Sequence, residues 1–266
     1  MSDWLDLSGR IVVVTGGSSG IGASVVTQLL SLGTKVANFD IQASEITHEN
    51  LLFIETDVTN YEQIRSSVDT VISIFGTIDG LVNNAGINLP ALLIDSGDAG
   101  GQYELNEVKY NKMIDINLKG TFFITQIVGR ILVEKQSGVI INMSSESGLE
   151  GSEGQSVYAA TKAAMNSLTR SWAKELAKHN VRVVGVAPGI MEETGLRTLA
   201  YETALAYTRN KTIAELRAGY NDVSAIPIGR SGRLSEVADL VIYYLSDRAS
   251  YITGVTTNVS GGKTRG

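Results

Sequence analysis

The chain has 266 residues, 43% hydrophobic and 19% charged, which supplies apolar material for a large core and excludes a charge-rich disordered chain. A formal net charge of −6 argues against a broad nucleic-acid or anionic-membrane surface. Cysteine is absent, which excludes disulfides and thiolate metal sites, and the two histidines, His48 and His179, stand apart in no metal-binding pattern. The opening Met-Ser-Asp-Trp-Leu-Asp-Leu is acidic and lacks a long apolar run, so no secretion signal is expected. Apolar runs elsewhere read as strand-length, so no membrane span is expected and a cytoplasmic soluble protein is the default.

A buried strand is predicted over residues 11–14. From about Gly20 a helix follows, with Ile21, Val25, Leu29 and Leu32 on one face and Gly33 closing it. Between them lies Thr15-Gly16-Gly17-Ser18-Ser19-Gly20-Ile21-Gly22. Glycines there permit a tight turn and close backbone approach to a pyrophosphate, and the helix start offers unpaired N–H groups and a positive dipole end. Gly16, Ser18, Ser19, Gly20, Ile21 and Gly22 are therefore candidate cofactor contacts. A second strand over Lys35–Asp40 ends in an acid eighteen residues after Gly22, close to where a carboxylate meets adenosine ribose hydroxyls. A 2′-phosphate there would face like charge, with no Arg or Lys at Gly17 or Ile41 to compensate, so the expected cofactor is NAD. A third strand over 51–57 ends at Asp57, which with Val58 would frame the adenine.

Residues Tyr61–Phe75 place Ile64, Val68, Val71 and Phe75 on one helical face. A fourth strand ending at 81–83 runs into Asn83-Asn84-Ala85-Gly86, where Asn84, Ala85 and Gly86 would let backbone approach a ribose. A long Gly/Asp-rich stretch, 87–107, precedes a long helix over 108–135 and a strand over 139–143. A helix over 157–178 and a strand over 181–186 follow. A segment over 189–233 carries short helical stretches at 202–209 and 213–220, and a helix over 235–246 and a strand over 254–259 complete the pattern. Continuous apolar strands alternating with helices predict an α/β fold, a single-domain, Rossmann-like, doubly wound parallel sheet of about seven strands. The whole of 1–266 reads as one domain, with 189–233 as a helical substrate lid. Both long loops leave carboxyl ends of strands, where ligands bind in such sheets.

Tyr158 and Lys162, four residues apart in Ser-Val-Tyr-Ala-Ala-Thr-Lys, share one face of the helix over 157–178. An ordinary phenol titrates at about 10, too high for a base at neutral pH. A nearby ammonium is expected to lower that value. Ser145, thirteen residues before the tyrosine and at a strand end, is placed to hold a carbonyl or alcohol oxygen beside it. By itself such a pair is more often an exposed face than a catalytic couple. Asn117, inside the helix over 108–135, reads equally as a polar residue that perturbs its helix locally.

Taken together, these residues resemble the short-chain dehydrogenase/reductase family. The resemblance rests on Thr-Gly-x-x-x-Gly-x-Gly at 15–22, Asn-Asn-Ala-Gly at 83–86, Asn117, Ser145, Tyr158-x-x-x-Lys162 and Pro188-Gly189, in order along nearly the whole chain. It implies that Tyr158 takes the proton of a substrate hydroxyl as hydride leaves for NAD. Lys162 would lower the tyrosine pKa and bond the nicotinamide ribose, Ser145 would orient the substrate oxygen, and Asn117 would anchor a water linking Lys162 to solvent. Pro188 and Gly189 would shape the nicotinamide pocket, with Met191 nearby. Family members often carry a threonine five residues after that proline, whereas Thr194 lies six after it. The resemblance also implies a homotetramer joined through the two long helices.

Within the family, the stretches 144–155, 195–198 and 261–266 resemble members that interconvert sorbitol 6-phosphate and fructose 6-phosphate. A polyol or sugar phosphate is thus the expected partner. Asn88, Glu146, Glu150, Glu153 and Gln155 are candidates for its hydroxyls. Arg197, Arg209, Lys211, Arg230 and Arg233 are candidates for its phosphate, because the planar guanidinium fork bonds two oxygens. Lys263 and Arg265, in the tail, are expected to reach an active site, their own or a neighbour's. Two other readings stand beside this one: a dehydrogenase of a free polyol, sugar or other secondary alcohol, and a non-catalytic NAD-sensing or scaffold protein. Asn117, Ser145, Tyr158 and Lys162 count against the latter, and a nucleotide-dependent methyltransferase would leave the tyrosine and lysine unexplained.

Overall fold

The computed structural model describes residues 4–192, 194 and 197–264. The chain begins with β1 (Ile11–Thr15), α1 (Gly20–Ser31), β2 (Lys35–Asp40), β3 (Leu51–Glu55), α2 (Tyr61–Phe75) and β4 (Gly80–Asn83). Next come α3 (Glu107–Ile114), a π-helical turn (Asp115–Gly120), α4 (Thr121–Lys135), β5 (Gly138–Met143), α5 (Ser147–Glu150), α6 (Ser156–Leu176) and β6 (Val181–Pro188). Last are α7 (Leu199–Thr208), α8 (Ile213–Asn221), α9 (Leu234–Leu245) and β7 (Thr256–Val259). The strands form one parallel seven-stranded sheet in the order β3-β2-β1-β4-β5-β6-β7.

Alternation along each strand divides the core between the two faces of this sheet. Val12 and Val14 of β1 pack with Val25 and Leu29 of α1 and Val237 and Val241 of α9. Ile11 and Val13, one residue out of step, pack with Ile64 and Val68 of α2, Ile124 and Val128 of α4 and Trp172 of α6. The order reverses between β1 and β4, so successive crossovers leave in opposite directions and open a crevice at the strands' carboxyl ends.

Four local readings change. The third strand stops at Glu55, paired with the last residue of β2, and the chain then turns where Asp57 Oδ1 accepts from the Thr59 backbone and hydroxyl at 2.8 Å. The loop after β4 is braced by bridges of Leu92 to Glu104 and Ala91 to Gln155. The short α5, absent from the sequence pattern, follows β5. The helical run Glu107–Lys135 is 29 residues long and apolar enough by composition to cross a membrane, contrary to the expectation that every apolar run is strand-length. Here its inner face, Ile124, Val128 and Leu132, is buried against the sheet and α2.

Candidate active site

Thr15 ends β1 and locks the loop that follows. Its Oγ1 accepts from the backbone N–H groups of Asn84 and Ala85 at 3.0 Å each. The Asn84 amide returns the tie, donating to the carbonyls of Thr15 at 3.1 Å and Gly16 at 2.9 Å. Gly16 has φ +65°, and a side chain there would lie 2.9 Å from the Ala85 Cα. The glycine loop and the end of β4 therefore make one rigid floor. Over it runs a groove of about 330 Å³, walled by Ser19, Gly20 and Ile21 on one side and Asp40, Asp57 and Val58 on the other, with Gly16, Asn84, Ala85 and Gly86 beneath. Its described lining contains no lysine or arginine. A long cleft that meets glycines, a helix start and a strand-end carboxylate fits a dinucleotide.

Two predicted cofactor contacts serve the loop instead. A Cβ on Gly22 would stand 2.0 Å from the Gly16 carbonyl oxygen, so that glycine lets α1 press against the loop and does not face the groove. Ser18 also lies off the groove lining: its N–H donates to Asp40 Oδ2 at 3.0 Å and its hydroxyl to the Gln42 carbonyl at 2.7 Å. With Gln42 N–H on Oδ1 at 3.1 Å, these bonds aim the Asp40 carboxylate. Ile41, Gln42, Ile87 and Ile116 also line the groove and were missed. They sit on loops and on the π turn, where apolar spacing carries no signal.

Beyond Gly86 the groove continues into a second cavity of about 480 Å³, and Ile21, Asn84, Gly86 and Thr194 line both. Ser145, Tyr158, Lys162, Pro188, Gly189 and Met191 meet in it. Thr194 thus stands at the junction despite its shifted spacing. The Lys162 ammonium donates to the Met143 carbonyl at 2.7 Å and lies 5.7 Å from the Tyr158 ring centre. Asn117 grips the loop after β4 from both sides: its Oδ1 accepts from Ile87 N–H and its Nδ2 donates to Ile87 O, each at 2.8 Å. The helix opens into its π turn around this residue, as polar bonding out of a helix tends to do. A Cβ on Gly86 would be 3.3 Å from Asn117 Oδ1 and 3.6 Å from Lys162 Nζ, so the missing side chain brings asparagine and lysine to one spot.

Electrostatics here overturns one expectation. The Tyr158 phenol is pushed up to about 12, chiefly by burial, against a hydrogen bond to Ser145 that favours the phenolate; Tyr201 and Glu146 add to the rise. Burial alone pulls Lys162 down to about 8. With Lys162 beside it the phenol still stands above its ordinary value, because desolvation of the ionised phenol outweighs the Ser145 hydrogen bond.

The short chain dehydrogenase family model matches residues 10–204. The chain belongs to the short-chain dehydrogenase family. It is 58% identical over 268 residues to the sorbitol-6-phosphate 2-dehydrogenase of Klebsiella pneumoniae, with all of both chains covered. It is 36% identical to a 3-oxoacyl-[acyl-carrier-protein] reductase of Thermotoga maritima, covering 96% of this chain and 98% of that one. The structure of the 3-ketoacyl-(acyl-carrier-protein) reductase of Brucella melitensis complexed with NADH superposes with a TM-score of 0.83 at 26% identity, over 98% of this chain and 100% of that one. This short-chain dehydrogenase is therefore an oxidoreductase of CH–OH groups that uses a nicotinamide cofactor.

The acidic loop and the tail meet in the dehydrogenase's cavity. Glu146 accepts from Lys263 Nζ at 2.8 Å on one oxygen and from the Thr264 hydroxyl at 2.8 Å on the other. The tail thus enters its own chain's site, and Arg265, beyond it, lies outside the described residues, as do residues 195–196. Asn88 and Glu150 line the cavity; Glu153 is exposed outside it, because the turn at 151–154 points that side chain to solvent. Gln155 is spent on protein partners, accepting from Ser152 at 2.8 Å and donating to Tyr201 Oη at 2.9 Å. Arg197, Arg209 and Lys211 line the cavity. Arg230 and Arg233 do not: the first is paired with Glu236, and the second caps α9, where its backbone N–H bonds Glu236. Tyr201 and Tyr220, from the lid, also line the cavity and were not singled out, since lid tyrosines at helical spacing look like ordinary packing.

Proposed function

We propose that this enzyme interconverts sorbitol 6-phosphate and fructose 6-phosphate with NAD. The observation that carries the reading is the 58% identity, end to end, with the Klebsiella sorbitol-6-phosphate 2-dehydrogenase. A single cavity lined by Arg197, Arg209 and Lys211 as well as by Tyr158 and Ser145 supports it. Bound NAD would supply a hydride acceptor and a positive ring charge beside the phenol, in the space bounded by Pro188, Gly189 and Met191. Ser145 Oγ orients the substrate hydroxyl, and Tyr158 Oη takes its proton in oxidation and returns it in reduction. A phenol raised by burial is a strong acceptor once ionised. Lys162 and Asn117, meeting at Gly86, provide the route by which that proton is exchanged with solvent. Asp40 supports NAD over NADP, since its carboxylate would repel a 2′-phosphate and no described cation lines that groove.

Assembly as a homotetramer through α4 and α6 belongs to the same proposal. An apolar depression between these helices, lined by Phe122, Val133, Trp172 and Leu176, supports it. The test of function is NADH formation over a panel of phosphorylated and free polyols with NAD and NADP. Sorbitol 6-phosphate with NAD is expected to give the highest kcat/KM. An equal or higher value for free sorbitol would transfer the reading to a free-polyol dehydrogenase.

A further inference from the structure

We propose that Arg197 and Arg209, with Lys211 at the rim, form the subsite for the substrate's phosphate, and that Lys263 instead positions Glu146. This rests on sorbitol 6-phosphate being the substrate. Charge pairing separates these cations from their neighbours. Of the basic residues of the lid and tail, Arg217 is bonded to Glu202, Arg230 to Glu236 and Lys263 to Glu146. Among the described residues no carboxylate forms an ion pair with Arg197, Arg209 or Lys211, and these three are the lid's cations that face the cavity. Unpaired cations converging on a cavity are an anion site in waiting.

Geometry then orders the three. The Arg197 guanidinium lies 4.3 Å from the centre of the Tyr220 ring and is tied down by one bond, Nη2 to the Met191 carbonyl at 2.6 Å. Arg209 is tied by Nη2 to Ser152 Oγ at 3.3 Å. Each guanidinium has five N–H donors, so both are held while most donors stay available. Both act electrostatically on the same two phenols, Tyr201 and Tyr220, which brackets the space between them. Tyr220 Oη is buried there without a hydrogen-bond partner, as is Asn88 Oδ1 elsewhere in the cavity lining. Leaving such atoms unpaired is costly, and a bound phosphate oxygen is the acceptor that Tyr220 lacks.

Hydrogen bonds join the arginine side of the cavity to Tyr201: Arg209 donates to Ser152 Oγ, Ser152 donates to Gln155, and Gln155 donates to Tyr201 Oη. Tyr201 in turn acts on Tyr158. In a 6-phosphate oxidised at carbon 2, the carbon that bears the phosphate is four carbon–carbon bonds from the reacting carbon. Lys263 is placed otherwise. Its charge is met by Glu146 Oε1, and a phosphate brought to it would press against that carboxylate.

The test is the ratio of kcat/KM for sorbitol 6-phosphate to that for sorbitol, measured at saturating NAD with inorganic phosphate as a competing probe. Arg209→Ala and Arg197→Ala are each expected to lower the ratio roughly 10- to 100-fold, mainly through KM, and to weaken phosphate inhibition in parallel. Arg209→Lys should recover part of the ratio, since it keeps the charge and loses the fork. Lys263→Ala should lower kcat for both substrates while moving the ratio by less than about threefold. A native enzyme that does not prefer the phosphorylated substrate overturns the substrate reading itself. A native preference that survives both arginine-to-alanine changes overturns the subsite, and a ratio that collapses in Lys263→Ala overturns the role given to the tail. NAD titration of each variant establishes that it is folded; should an alanine variant fail it, Arg209→Lys and phosphate inhibition of the native enzyme decide, and absence of any such inhibition counts against the subsite.

Discussion

Burial moves the two central groups apart, raising Tyr158 to about 12 and lowering Lys162 to about 8, so between those values the ligand-free site favours a neutral phenol beside a neutral amine. In the proposed reaction, the positive ring charge of bound NAD would favour the phenolate that accepts the proton. The lysine shift also affects stability. Between about pH 8 and its ordinary value of 10.5, the folded protein binds fewer protons at Lys162 than the unfolded chain does, so stability rises with pH across that window. Lys162→Met should lack that rise, seen as urea midpoints compared at the two ends of that window; identical pH dependence in both proteins would show that burial does not depress the lysine. Tyr158→Phe should keep NAD binding and lose roughly 10²- to 10⁴-fold in kcat, the range expected when a general base is removed. Full activity in that variant would remove the tyrosine from the mechanism. The pairing of these two residues was legible because four-residue spacing on a helix is local. The sign of the tyrosine's shift was not, because burial is a property of everything packed around it.

The glycine loop and the helix after it act as one element. Gly22 lies where any side chain would meet the Gly16 carbonyl oxygen at 2.0 Å, so Gly22→Ala must push α1 off the loop. The expected result is a higher Kd for NAD by fluorescence titration and a melting point lowered by the overpacking, about 1–3 kcal/mol in stability. Native values for both would mean that the loop yields at no cost. Strand and helix positions around this loop were readable from apolar period, as were α2, α6 and the lid helices to within a few residues. The π turn at Asp115–Gly120 was not, since it forms where Asn117 bonds both backbone groups of Ile87, thirty residues away in sequence. For the same reason Ile116 was unreadable as a groove residue.

Across the whole molecule, residues 263–264 fold back to the loop between Ser145 and Tyr158, and Lys263 and Thr264 both hold Glu146 there. Glu146 is one of the groups that raise the tyrosine. Deleting residues 263–266 leaves its carboxylate unpaired near the phenol, which disfavours the phenolate further. The expected outcome is a lower kcat and an alkaline displacement of the rising limb of the pH–kcat profile; an unmoved limb would show that the tail does not tune the site.

The α/β class, the glycine loop and the strand-end acid are written in local spacing, whereas the roles of Asn117, Ser145, Tyr158 and Lys162 were legible only through the family resemblance that their order along the chain carries. That Arg197, Arg209 and Lys211 face the cavity, that Arg230 is paired outside it, and that Lys263 is bound to Glu146 became visible in the folded chain alone. Pairing and burial depend on which distant segments meet in space. The switch in strand order between β1 and β4 brings them together, and no spacing along the chain records that meeting.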